Sequence, residues 1–180
     1  MNENEIIYFY DEHGKRTRKE HYFLNTYDPS PFIADDKLSY PTVEHYFQAQ
    51  KFADFDISPD FKEIFEEIRN LKSPADTKEI ANKYRKSHPK FDSEKWAKIK
   101  VNVMKKAQIF KFSQNKDLLD RLVLTGKAKL VEESEEDLFW GGLLEGSKNM
   151  LGVIMMELRD NYVKSNDIYV EGSGLERIKI

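Results

Sequence analysis

Residues 40–52, Tyr-Pro-Thr-Val-Glu-His-Tyr-Phe-Gln-Ala-Gln-Lys-Phe, constrain the fold more than any other stretch of the chain. Tyr40 precedes a proline, which biases it to extended backbone. Pro41 is compatible with a helix only in or before the first turn. The residues after it can run uninterrupted as helix, so the spacing predicts a helix that opens at Pro41. Val43, Phe47 and Phe52 mark an apolar side. Glu44, Gln48 and Lys51 fall at i, i+4 and i+7, on one shared stripe. Spacing alone favours a solvated face with a Glu–Lys pairing worth about 0.3–0.5 kcal/mol. The alternative is a site where a carboxylate, an amide and an amine converge.

The rest of the chain supplies a small β part and then helices. Residues 6–10 are β-branched and aromatic and predict a strand, followed by a turn at 11–15. Residues 21–24 read as a second extended piece, and 25–31 as loop. Residues 32–34 and 38–40 flank Asp35-Asp36 as a hairpin leading into the helix. Phe61, Ile64, Phe65, Ile68 and Leu71 recur at helical spacing over 60–71. Ser73-Pro74 is a helix start, with Ser as cap and Pro at the first position, and that helix runs to about Arg85. Asp92 or Ser93 caps a long helix to about Phe112. Another runs from Asn115 to about Leu124 and stops at Thr125-Gly126. A strand at 129–133, an acidic turn at 134–137 and an aromatic-glycine loop at 138–142 lead to a last helix from Met150 to about Val163. The fold class is therefore α+β, mostly α. It is a single multihelical domain over residues 1–164, with a small antiparallel β part from the N-terminal third and a short strand near 128–133. Residues 165–180 are a polar C-terminal tail.

Composition excludes several chemistries. The chain has no cysteine, which removes disulfides, thiolate metal sites and thiol catalysis. Its formal net charge of −3 argues against a generic polynucleotide binder. No stretch approaches the roughly 18 apolar residues that span a bilayer. The acidic start lacks the basic and apolar regions of a secretion signal. The expectation is a cytoplasmic protein with no membrane partner. His13, His21, His45 and His88 have no metal-ligand spacing, no serine sits in a GxSxG elbow, and no glycine-rich phosphate loop is present. No metal and no cofactor are expected.

Carboxylates, amines and rings remain. Asp137 stands three residues before Trp140, in a loop that ends in Gly141-Gly142, where backbone can approach a ligand closely. Trp140 is either a ligand platform or a plug at the domain edge. Trp96, near a helix start, is more readily core. Lys111, between Phe110 and Phe112, either snorkels or is desolvated into a nucleophile.

These residues are also where the sequence resembles a known family. Residues 40–51 match the NADAR (YbiA-like) motif YPTVEHYFQAQK. Trp96, Met104 and Lys111-Phe112 follow at the family's intervals. Leu124-Thr125-Gly126, Leu130-Val131-Glu132, residues 137–141, residues 149–152 and Glu157-Leu158-Arg159 follow in its order. The likeness covers residues 7–162. Leu24-Asn25-Thr26 departs from the family's Ser-Asn-Phe, and the loop at 142–146 is less glycine-rich than usual.

The resemblance implies a YbiA-like fold and hydrolysis of a base–ribose N-glycosidic bond. The substrate would be a phosphorylated ribosylamino-pyrimidine intermediate of riboflavin synthesis or ADP-ribosylated guanine, with ADP-ribosylated nucleic acid as a partner in the second case. It implies Glu44, Lys51 and Asp137 as catalytic residues, with a lysine Schiff base in some members and Lys111 as the rival lysine. Asn25, Gln48, Trp96, Lys111, Trp140, Gly141 and Asn149 would contact substrate. Dividing acid and base work between Glu44 and Asp137 needs distinct environments for the two. Arg69, Arg85 and Lys148 are candidates for phosphate on charge type alone. A non-catalytic NAD or ADP-ribose binding module and a partner-binding helical domain are the competing readings. The lysine–carboxylate stripe favours the enzyme, because a binder needs rings and phosphate contacts but no such stripe.

Overall fold

The computed structural model describes residues 5–10, 13–165, 169–171 and 174–177. In chain order the elements are β1 (Ile6–Phe9), β2 (Phe32–Ile33), β3 (Ser39–Tyr40), α1 (Val43–Ala49), α2 (Asp60–Arg69), α3 (Pro74–Ser87), α4 (Ser93–Gln114), α5 (Lys116–Leu124), β4 (Lys129–Glu132), α6 (Met150–Ser165), β5 (Tyr169–Glu171) and β6 (Gly174–Arg177). Short 3-10 turns occupy Lys19–Leu24 and Gln50–Phe52. The chain forms two compact units, Thr26–Gln114 and a second built from Met1–Asn25 with Asn115–Ile180.

In the middle unit, α1 is the hub, packed by α2, α3 and α4. All seven of its residues are buried. Thr42 caps it: its Oγ1 accepts from the His45 backbone N–H at 3.3 Å, and its hydroxyl also meets His45 Nδ1 at 2.8 Å. The other ring nitrogen, Nε2, lies 2.9 Å from the Leu71 carbonyl. Burial lowers the His45 pKa. The imidazole is thus a neutral strut, with Nε2–H donating and Nδ1 accepting. The hairpin pairs Phe32 with Tyr40 and Ile33 with Ser39, as the sequence pattern predicts. Its rings stack into α1 and α4, with Phe32 5.9 Å from both Tyr40 and Tyr46 and 6.0 Å from Phe110. The Gln114 side chain stands in for a further strand, accepting from Ile33 N at 2.9 Å and donating to Ile33 O at 2.8 Å.

The expected helix starts hold, with differences in their caps. Asp92 caps α4, its Oδ1 accepting from Glu94 N and Lys95 N at 2.9 Å each. Ser73 and Asn115 occupy the cap positions of α3 and α5 without a side-chain cap bond. Residues 21–24, read as extended, lie instead in a 3-10 turn. Phe23 and Leu24 are buried there, and the Arg121 guanidinium lies 4.0 Å from the Phe23 ring. An aromatic-rich run carries no period long enough to separate a strand from a single helical turn.

The second unit joins the two ends of the chain. β1 pairs in parallel with β4, Ile7 opposite Leu130. This partner is not legible in sequence, because no local turn joins the strands. α6 covers β4, and α5 packs on α6. Gly126 ends α5 at φ 58°, the left-handed conformation the sequence reading assigns to it. Buried Arg159 on α6 secures the same corner, donating from Nη1 to Thr125 Oγ1 at 3.0 Å and Ala128 O at 2.9 Å. Glu133 orders the 14–17 loop by accepting from Arg16 N at 2.8 Å and from Thr17 N and Oγ1 at 2.9 Å each.

Within the expected tail, β5 and β6 pair antiparallel. Residues 1–4, 11–12, 166–168, 172–173 and 178–180, which include the acidic start, part of the expected turn at 11–15 and parts of the expected tail, lie outside the described residues.

Gly152 lets α6 lie against β4. A Cβ there would overlap the Leu130 carbonyl, and it would stand 2.6 Å from Asn149 Nδ2. The obstacle is backbone, so Gly152→Ala is expected to destabilise the protein by about 1–3 kcal/mol. The check is a lower urea midpoint at unchanged m-value; an unchanged midpoint would show that the two elements separate freely.

Candidate active site

Burial of all of α1 overturns the solvated-face reading of the Glu44–Gln48–Lys51 stripe. Glu44 is 6% exposed and Gln48 4%. A carboxylate is rarely that buried unless partnered, and Glu44 has partners on both oxygens. Thr26 donates from Oγ1 to Oε2 at 2.9 Å, and Gln48 donates from Nε2 to Oε1 at 2.6 Å. The Glu44 backbone N–H also donates to the Thr26 carbonyl at 3.0 Å, so the loop before the hairpin is clamped to the helix. Binding Nε2 to the carboxylate turns the other end of the Gln48 amide away. Its Oε1 is buried without a hydrogen-bond partner among the described residues. A buried, unmade hydrogen bond costs about 1–3 kcal/mol. Stability alone would place an apolar side chain there.

Lys51 lies one step beyond α1, in the 3-10 turn rather than in the helix. Its Nζ sits 5.9 Å from the Phe47 ring centroid and 5.9 Å from that of Trp96, which meet edge to face at 5.2 Å. No carboxylate lies within ion-pair distance of it among the described residues. Burial pushes its pKa down from 10.5 to about 8; the Glu44 charge works the other way, and Arg85 and Lys78 add to the fall. The sign of the stability effect follows. Between about 8 and 10.5 the unfolded chain holds a proton that the folded protein has released, so this group makes stability rise with pH across that window. Below about 8 the full burial penalty applies. Glu44→Gln removes the charge that raises the pKa and is expected to lower it further. A site-resolved NMR titration of Lys51 checks both statements, and an upward movement in Glu44→Gln would contradict the second.

Lys111, the rival amine, is placed very differently. Its side chain is 0% exposed, with Nζ 3.5 Å from Asp28 Oδ2 and 5.5 Å from the Phe112 ring. The helix spacing that puts it among rings is legible in sequence; the Asp28 partner, from the loop before the hairpin, is not.

The remaining catalytic and substrate-contact candidates belong to the second unit. Asp137 forms the aromatic-glycine loop, its Oδ1 accepting from Phe139 N and Trp140 N at 2.8 Å each. Trp140 is half-buried and stands edge-on to Phe139 at 5.0 Å. Gly141 donates its N–H to the Asp137 carbonyl at 3.0 Å, and a Cβ there would come within 2.6 Å of that oxygen. Asn149, at φ 48°, spends its amide on β4, donating from Nδ2 to Leu130 O at 2.7 Å and accepting at Oδ1 from Glu132 N at 3.1 Å. Asn25 is half-buried at the end of the first 3-10 turn, its N–H donating to Tyr22 O at 2.9 Å. Of the phosphate candidates, Arg69 is held by Glu66 at 2.6 Å, Lys148 lies 5.2 Å from the Phe139 ring, and Arg85 is exposed.

Beside Lys51 and Trp96 opens a cavity of about 440 Å³. Sequence reasoning missed it, as it missed Thr26. Both rest on contacts between residues distant in the chain and carry no local signal. No cluster of three or more metal-ligating side chains occurs among the described residues, and no helix among them is long and apolar enough to cross a membrane.

Comparison with known proteins gives a consistent result. The family model for the NADAR domain matches residues 8–162. N-glycosidase YbiA of Escherichia coli (strain K12) is 40% identical over 129 residues, which is 71% of this chain and 74% of that protein. The chloroplastic riboflavin biosynthesis protein PYRR of Zea mays is 41% identical over 125 residues, 69% of this chain but only 20% of that longer protein. The NMR structure of E. coli YbiA superposes with a TM-score of 0.73 at 31% identity, covering 97% of this chain and 94% of that one.

Proposed function

Since the chain belongs to the NADAR domain family, we propose that it is an N-glycosidase that cleaves a base–ribose bond through the Lys51 amine. The observation that carries this reading is the pairing of a buried, doubly hydrogen-bonded Glu44 with an amine whose pKa burial lowers to about 8. A binding module could use an unpaired cation for phosphate, but it has no need of an amine whose pKa is lowered toward neutrality. A covalent amine catalyst requires one, because only the neutral amine attacks.

In this proposal the roles are as follows. Lys51 nitrogen forms a bond to C1′ with its lone pair. The C1′–N bond to the base breaks, and its electron pair leaves on the base. The proton lost from the lysine nitrogen passes through Glu44 to the departing base. After the sugar ring opens, the lysine is held as an imine, and water adds to C1′ and releases sugar and amine. Both Glu44 oxygens accept hydrogen bonds from neutral donors. That arrangement suits a carboxylate which first stabilises positive charge at C1′ and then takes a proton. We assign the amine role to Lys51 over Lys111 because Lys111 is wholly enclosed and ion-paired. Asp137, in the other unit, ties the loop that carries Trp140.

For the substrate we favour the phosphorylated ribosylamino-pyrimidine class. The names of relatives, N-glycosidase and riboflavin biosynthesis protein, support it, and the net charge of −3 tilts away from polynucleotide. The test is release of free base from a ribosylamino-pyrimidine phosphate and from ADP-ribosylated guanine, with Glu44→Gln as control. Faster release from the first supports the assignment, release only from the second moves it to ADP-ribosyl-guanine, and release from neither removes the hydrolase reading.

A further inference from the structure

Thr26 is held to Glu44 twice. Its carbonyl accepts the Glu44 backbone N–H at 3.0 Å, satisfying one of the donors that the first turn of α1 leaves without a partner inside the helix. Its hydroxyl donates to Oε2 of the same residue at 2.9 Å. The other carboxylate oxygen, Oε1, accepts from Gln48 at 2.6 Å. The two donors are not equivalent. Gln48 lies on α1, one turn beyond Glu44, and moves with it. Thr26 comes from a separate segment, so it fixes the carboxylate against something other than its own helix. That segment is itself anchored. The Asp28 carboxylate sits 3.5 Å from Nζ of the fully buried Lys111 on α4, and Ser30 donates from Oγ to the Asp28 carbonyl at 3.0 Å. Thr26 is buried and belongs to the Leu24-Asn25-Thr26 triplet, where the chain departs from the Ser-Asn-Phe of the motif it otherwise resembles. A phenylalanine side chain has nothing to donate, so the contact belongs to this chain's own residue.

We propose that the Thr26 hydroxyl is a positioning group for the reaction: it holds the Glu44 carboxylate in the one orientation from which the proton is transferred. Lys111 then serves catalysis at one remove, by anchoring through Asp28 the loop that carries Thr26. The step being served rests on the N-glycosidase reading; the aiming of the carboxylate rests on the contacts alone. Each carboxylate oxygen accepts more than one hydrogen, so a donor on each still leaves both oxygens open to the moving proton. With both donors in place, the carboxylate cannot turn without breaking a buried hydrogen bond. With the hydroxyl gone, Gln48 is the donor that remains, and the carboxylate and the amide can turn together. A group oriented before the reaction needs no rearrangement when charge moves, and small misplacements cost large factors in rate.

The test compares Thr26→Val, which removes the hydroxyl, with Thr26→Ser, which keeps it. Either variant retains the carbonyl of residue 26, and so the backbone clamp, together with the Asp28–Lys111 contact. Base release by Thr26→Val is expected to fall about 10- to 100-fold in kcat with KM unchanged, the scale of one hydrogen bond to a charged group. Thr26→Ser should recover most of that loss. In a Glu44→Gln background, Thr26→Val should cost less than about twofold more, because the hydroxyl acts through Glu44. Exchange of the Gln48 side-chain N–H with solvent, read by NMR without substrate, should quicken about tenfold in Thr26→Val and not in Thr26→Ser, since the acceptor of that N–H is then free to turn. Thr26→Ala should give the same readings and replaces Thr26→Val if the valine methyl prevents folding. Wild-type kcat in Thr26→Val, a loss carried by KM, no recovery in Thr26→Ser, or an equal loss in both Glu44 backgrounds overturns the proposal. Normal base release by every variant, with unchanged exchange, sinks only the role of Thr26. The expected exchange pattern in a protein that releases no base from either substrate sinks only the hydrolase reading and leaves the aimed carboxylate standing.

Discussion

Lys51→Met is expected to reduce base release by on the order of 10³-fold or more, the scale seen when a covalent nucleophile is removed, while the protein keeps or gains stability. The gain has a physical source. Lys51 is a half-buried cation without an ion-pair partner among the described residues, and its pKa of about 8 registers what its burial costs. Methionine fills similar volume against Phe47 and Trp96 and removes that cost. Lys111→Met provides the contrast. It leaves Asp28 without the ammonium that sits 3.5 Å away. Breaking a buried pair from one side costs about 3–5 kcal/mol. Both variants lose activity in a crude assay, but only Lys111→Met should lower the thermal midpoint. If Lys51→Met retains wild-type kcat while Lys111→Met stays folded and inactive, the assignment of the amine is reversed.

Glu44→Gln carries the second large effect. Removing a positioned proton-transfer group typically costs about 10²–10⁴-fold in rate. Glutamine matches glutamate in shape and presents one carbonyl oxygen, so it can still accept from Thr26 or from Gln48, though not from both with equal strength. The fold should survive with a modest drop in midpoint. The loss should appear in kcat rather than KM, because the carboxylate acts on charge and protons that move during reaction. A variant with wild-type kcat would remove Glu44 from the chemistry. A variant that fails to fold would show that the Thr26–Glu44–Gln48 chain is structural first. Glu44→Asp then decides the point, since it restores the charge one methylene back.

Much of this architecture is legible in the sequence. Helix punctuation was readable because its signals are local: Pro74 at a first position, Asp92 at a cap, Gly126 past an end. The hairpin into α1 was readable for the same reason. The parallel pairing of β1 with β4 was not, since its partners come from opposite ends of the chain. The site divides along the same line. The i, i+4 relation of Glu44 and Gln48 predicts their contact, and the structure has it at 2.6 Å. Spacing does not reveal that the helix is enclosed on every side, because two polar residues and a lysine on one stripe look like a wet face. That fact comes from α2, α3 and α4 packing around it. The family motifs of the second unit show the opposite limit. Arg159 bonds Thr125, Asn149 pins Leu130 and Glu132, and Gly152 admits the β4 backbone. Those motif residues hold the scaffold together, whereas their sequence gives no means of telling a scaffold residue from one that touches substrate.

The central claim is that the Lys51 nitrogen bonds to C1′ during turnover. Borohydride reduction in the presence of a turning-over substrate, followed by peptide mass mapping, tests it most directly. The account predicts one stable sugar adduct per chain, on Lys51, absent from Lys51→Met. Normal turnover with no adduct on any lysine, or an adduct that maps to Lys111, would contradict it.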